Sequence, residues 1–219
     1  MKNNTAKKSV EQFEGLTPTE TDIIMAAMEE FAEKGFFGAR MQAIADTAGV
    51  NKAMLHYYFR SKENLYTQTL KACLRMLWSR MEETLEDARP IYDRLDRIVD
   101  IAMDTLLHYP SIFKILLSEV ASGGERLEKG ITELKNVGLT PAELLLEALS
   151  EIGMDRDGTT QFVLSMLGMC IFGIVAQPFL FVLFNFEPTR SPVFFDERRA
   201  HIKAMLRAYL GARLEAREV

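Results

Sequence analysis

A chain of 219 residues, 48% hydrophobic and 26% charged, can bury a substantial core, and these proportions exclude a disordered or low-complexity polymer. Its net charge of −5 argues against a general nucleic-acid coat. The two cysteines, Cys73 and Cys170, stand far apart without paired spacing, which points away from a disulfide framework or a zinc site.

The opening "MKNNTAKKSVEQFEG" has lysines but no apolar run behind them, so it reads as a flexible arm over residues 1–16 rather than a secretory signal, and a cytoplasmic protein is expected. Lys2, Lys7 and Lys8 could follow a DNA backbone, although Glu11 and Glu14 dilute their charge. Apolar residues then recur at helical spacing, with almost no strand signal. Thr17-Pro18-Thr19-Glu20 and Thr140-Pro141-Ala142-Glu143 each combine a capping threonine, proline at the first helical position and a glutamate that reaches back. The first predicts a helix over about 18–34, stopped by Gly35. A short helix over 41–48 ends at Gly49, and Asn51 caps a third over 52–59. Ser61 can cap a fourth, running to about 88 before Pro90. Later helices are expected near 92–108, 111–121, 125–137, 141–152, 159–177 and 194–213, separated by glycine turns.

The short helix, glycine turn and short helix form a helix-turn-helix arrangement. Ile44, Ala45, Ala48, Val50, Leu55 and Phe59 are spaced to pack inward, which leaves Gln42, Asn51, Lys52, Ala53, His56, Tyr57 and Tyr58 around the other side and the ends. From Lys34 to Lys62 the cations Lys34, Arg40, Lys52, Arg60 and Lys62 face Asp46 alone. A local basic surface on an acidic protein suits a small DNA-contacting element, in which lysine can meet phosphate or guanine and glutamine a base edge.

The run "FAEKGFFGARMQAIADTAGVNKAMLHYYFRSKENLY", with the helix before it, resembles the DNA-binding domain of the tetracycline-repressor (TetR) family of bacterial transcription regulators. The resemblance spans about 17–70 and rests on Gly35, Ile44-Ala45, Ala48-Gly49-Val50, Leu55, Phe59, Lys62 and Leu65 together. It implies an all-α homodimer with a helix-turn-helix domain over 17–65 and a divergent effector-binding and dimerisation domain over 66–219. It also implies a palindromic double-stranded operator whose half-sites lie about 34–36 Å apart or somewhat farther. By the same resemblance Gln42, Lys52, Ala53 and Met54 lie where bases or groove are met. His56, Tyr57, Tyr58 and Lys62 lie where phosphates are held, with Arg40 and Asn51 counted beside them. His56 departs from the tyrosine most often found at its position, which leaves its contact and pH dependence open.

Beyond the reader, methionine and phenylalanine are abundant. Met103, Phe113, Leu117, Met166 and Cys170 are expected to line a pocket for a small hydrophobic effector. The uncharged run Phe162–Phe186 meets the length rule for a membrane span. Pro178 divides it, however, and the flanks lack a positive bias. Ser165, Gly168, Gly173 and Ala176 are small enough for a helix-on-helix dimer seam there, in keeping with the resemblance. No nucleophile elbow, phosphate loop or metal spacing supports an enzyme, and no cofactor or metal is called for. The alternatives are a helical metabolite-binding module without DNA activity and a membrane-associated sensor.

Overall fold

The computed structural model describes residues 15–138, 141–187 and 193–215. Among these are eleven helices and no strand. They are α1 (Pro18–Gly38), α2 (Met41–Thr47), α3 (Lys52–Phe59), α4 (Lys62–Leu85), α5 (Ile91–His108), α6 (Pro110–Ala121), α7 (Glu125–Lys135), α8 (Pro141–Ser150), α9 (Arg156–Val175), α10 (Gln177–Phe184) and α11 (Phe194–Glu215). The expected arm lies almost wholly outside the described residues, as does Thr140, the expected cap of α8.

The chain forms two compact units, and α4 begins in the first and ends in the second. The first takes residues up to Ser79 together with Tyr109–Leu139, so α6 and α7 belong with the helix-turn-helix. Sequence order could not show this, because the returning segment lies forty residues and more beyond α3. The second unit takes Arg80–His108 and the residues from Thr140 onward.

In the first unit, α1 starts with the expected capping box: Thr17 accepts from the Glu20 amide while the Glu20 carboxylate accepts from the Thr17 amide. Gly35 does break the helix, at φ 65 and ψ 176, but a further helical turn follows to Gly38. Ile23, Ile24, Ala27, Met28 and Phe31 are buried along α1 and form the core with Ile44, Leu55, Leu65 and Leu70. Ser111 on α6 donates to Glu29 on α1 at 2.8 Å, and Lys71 on α4 pairs with Glu133 on α7 at 2.7 Å.

In the second unit, α5 and α11 bury Leu95, Ile98, Val99, Ile202, Leu206 and Leu210. A charge ladder runs along the same pair: Arg207 meets Asp93 and Asp96, Lys203 meets Asp100, and Arg199 meets Asp100 and Asp104. Arg94 sends both Glu151 oxygens and the Leu85 carbonyl its Nη hydrogens. A recess of about 620 Å³ opens there, lined by Glu86, Arg89, Arg94, Glu147 and Glu151 among others.

The uncharged stretch is two helices. Among the described residues no single helix is long and apolar enough to cross a membrane, and α9 and α10 reach that measure only together, across a 61° bend.

Candidate nucleic-acid interface

The helix-turn-helix is assembled by burial of one side of two short helices. Ile44 and Ala45 of α2 and Leu55 of α3 are fully buried, and Phe59 nearly so. Ala48 and Val50, expected as anchors, are only half-buried, since they sit at the rim of the turn. That turn depends on Gly49 at φ 68, a left-handed conformation that an L side chain adopts only with strain. It is closed by the Val50 amide donating to the Ala45 carbonyl at 3.0 Å.

The opposite side of α3 faces outward. Lys52, Ala53, Met54, His56 and Tyr57 are exposed, Tyr58 is half-buried, and the two tyrosine rings meet edge to face at 5.4 Å. Arg40 is exposed and Gln42 likewise at the start of α2.

Several of the expected contact residues already have local work. Asn51 Oδ1 accepts from the Met54 amide at 2.8 Å and caps α3. Gln42 Nε2 donates to Asp46 Oδ1 at 2.7 Å, which engages the one acid of the basic segment. The Arg40 amide donates to Glu30. Lys62 Nζ donates to the Phe37 carbonyl at 3.1 Å and lies 5.2 Å from the Phe36 ring centroid. In this conformation Lys62 therefore ties α4 to the end of α1.

One residue was read only as part of the basic charge, and another escaped the sequence reading of this surface. Arg60, counted in the charge of the basic segment but not among the contact residues, is exposed and caps α3 at φ 63. Phe37 is 85% exposed, and nothing in the pattern distinguishes its side from that of Phe36.

The first turn of α4 is anchored by a polar cluster. Glu119 is 1% exposed. It accepts the Arg126 amide at 3.0 Å. Burial, and then the Glu119 charge, push the Tyr66 phenol well above its usual range, so it stays protonated. Arg126 also donates to Glu63 at 2.6 Å, and its guanidinium carbon lies 4.2 Å from the Phe36 centroid.

The expected effector residues fall in both units: Met103, Met166 and Cys170 are buried in the second, whereas Phe113 is buried and Leu117 is 39% exposed in the first. The 620 Å³ recess includes none of the five. Burial pushes the Cys170 thiol up to about 11 against a smaller opposing effect of Arg198. Of the four small residues expected at a dimer seam, Ser165 and Gly168 are exposed. Ala176 is buried within its own chain, and a Cβ on Gly173 would lie 3.2 Å from Phe194. The space beside Gly173 is thus used inside the subunit.

Residues 23–69 match the family model described as bacterial regulatory proteins, tetR family. The chain is 31% identical over 116 residues to the HTH-type transcriptional regulator RutR of Escherichia coli O157:H7, covering 52% of this chain and 54% of that one. It is 27% identical over 161 residues to the HTH-type transcriptional repressor NicS of Pseudomonas putida, covering 70% and 74%. The chain thus spans about half the length of the RutR proteins it matches. Two solved structures share the fold. One is the TetR family transcriptional regulator PfmR from Thermus thermophilus, with TM-score 0.59, 24% identity and coverage of 84% of this chain and 97% of that one. The other is the fatty acid degradation regulator FadR from Bacillus halodurans, with TM-score 0.64, 18% identity and coverage of 88% and 96%. These relatives are regulators rather than enzymes.

Proposed function

We propose that this chain, a TetR-family member by its N-terminal domain, is a transcriptional regulator that binds a palindromic operator as a homodimer and releases it when a small hydrophobic effector binds. The observation that carries the reading is α3: its inner residues Leu55 and Phe59 are buried, and its outer Lys52, Ala53, Met54, His56 and Tyr57 are presented to solvent. An eight-residue helix held this way fits a major groove, with polar side chains at base edges and cations along phosphates. Repression is favoured over activation by the similarity to NicS, a named repressor.

Dimerisation is supported by apolar surface in the second unit. Leu164, Phe172 and Val175 on α9 and Met205 and Tyr209 on α11 are all exposed, an arrangement that suits a partner of the same kind. The effector reading rests on Met103, Met166 and Cys170, all buried among the second unit's helices. An effector acts only if it prefers the dimer conformation that disfavours DNA.

The test is selection of bound duplexes from a randomised pool, followed by footprinting. Enrichment of a sequence with two-fold symmetry supports the proposal, whereas failure to enrich any sequence rejects it. Sedimentation at micromolar concentration should give a dimer.

A further inference from the structure

Lys52, His56 and Arg60 stand four residues apart along α3 and its C-terminal cap, and all three are exposed. The His56 imidazole lies one helical turn from Lys52, while Arg60 caps the helix at φ 63, off the helical path. The ring is not free to choose its tautomer. His56 Nδ1 lies 3.1 Å from the Arg60 carbonyl oxygen, and a carbonyl only accepts, so Nδ1 carries hydrogen whether the ring is neutral or cationic. Nε2 is then a lone-pair acceptor in the neutral ring and gains an N–H only on protonation. A phosphate oxygen offers lone pairs and no hydrogen, so the neutral ring has nothing to give it through Nε2.

We propose that His56 is a proton-dependent phosphate contact, so that this protein takes up a proton at His56 when it binds DNA and holds DNA more tightly as pH falls. The proposal rests on the reading of α3 as the DNA-reading helix. A tyrosine hydroxyl at this position could donate at any pH near neutrality; an imidazole pinned through Nδ1 cannot.

The surrounding charges leave this role to His56. On its own helix stand Lys52, Tyr57 and Tyr58, with Arg60 at the cap. On α2, Asp46 is engaged by Gln42, and Arg40 precedes the helix. On α1, Glu30 accepts from the Arg40 amide, and Glu33 pairs with Lys34. On α4, Lys62 is bonded to the Phe37 carbonyl and Glu63 to Arg126. Among the described residues, the imidazole is hydrogen-bonded to the Arg60 carbonyl and to no carboxylate. Histidine is the side chain that changes charge between pH 5 and 8, and binding linked to one proton gains up to about tenfold in affinity per pH unit for each reader.

The experiment measures affinity for a selected duplex from about pH 8 to about pH 6 at constant ionic strength, for the full chain and for His56→Gln, whose amide donates at every pH. The other two histidines, His108 and His201, are replaced together by glutamine as a control. The expected result is affinity that rises as pH falls in the parent and in the control, a flat profile for His56→Gln, and net proton uptake in calorimetry across buffers of different ionisation heat. Circular dichroism shows whether His56→Gln keeps its helices; if it does not, proton uptake by the parent decides. A flat parent profile, an undiminished slope in His56→Gln, or a slope lost in the control overturns the proposal. No enrichment of any duplex at any pH removes the reading of α3 and this inference with it, an outcome distinct from binding without pH dependence.

Discussion

Arg126 on α7 holds its guanidinium 4.2 Å from the ring centroid of Phe36, at the end of α1. The same group donates to Glu63 in the first turn of α4 and lies 3.6 Å from buried Glu119. One side chain thus connects α1, α4, α6 and α7. Removing it strands the Glu119 carboxylate, whose side chain is 2% exposed, and breaking such a pair is costlier than the pair is worth. Arg126→Ala should lower the stability of the chain by about 2–3 kcal/mol in denaturant unfolding. Arg89→Ala, which removes an exposed pair with Asp87, should leave the midpoint unchanged.

Lys52 opens α3 with its side chain exposed and belongs to no packed cluster. Lys52→Ala should therefore leave unfolding and dimerisation intact while weakening operator affinity roughly tenfold, with the salt slope falling by about one per reader. Titration at three salt concentrations reads both. Unchanged affinity and slope would show that α3 meets DNA by another face.

Much of the helix-turn-helix was legible because its determinants are local. Asn51, the glycine turn and the apolar spacing place α3 over Lys52–Phe59 as expected, and Thr17 and Glu20 form the capping box that their spacing announced. What local pattern could not show is competition for a side chain. Asn51 serves the α3 cap, Lys62 the Phe37 carbonyl and Gln42 the Asp46 carboxylate, so these expected DNA ligands have partners within the chain. Pairings across long sequence separations, such as Arg126 with Glu63, were equally invisible, as was the return of α6 and α7 to the first unit. Among the small residues of α9, composition suggested one shared seam, whereas Gly173 is spent on Phe194 of its own chain.

The exposed apolar face of α9 gives the next expectation. Phe172 is 65% exposed and Leu164 59%, so placing a charge there costs the isolated subunit little. In an apolar seam the same charge is desolvated twice, once in each protomer. Phe172→Glu should shift the chain from dimer to monomer in sedimentation while leaving its helical circular dichroism intact. Retention of the dimer would place the seam elsewhere.

Cys73 gives a prediction in alkaline solution. It lies fully buried on α4, and burial pushes its thiol up from the ordinary value of 9.0 to about 12. In the unfolded chain the thiol ionises near its ordinary value, while the folded chain keeps its proton to higher pH. Between these values the folded state therefore binds more protons, and stability must fall as pH rises. The contribution is complete below pH 9.0 and is lost progressively up to about pH 12, at about 1.4 kcal/mol per pH unit. Other groups also ionise there, so the comparison must be between variants. Cys73→Ala should be less stable at pH 8 because it leaves a small cavity, yet lose about 2 kcal/mol less than the parent between pH 9 and pH 10.5. Denaturant unfolding at both pH values checks it; identical losses in parent and variant would mean that Cys73 ionises alike in both states. In the native chain at pH 8 the same burial should keep the thiol from reacting with iodoacetamide until denaturant opens the first unit.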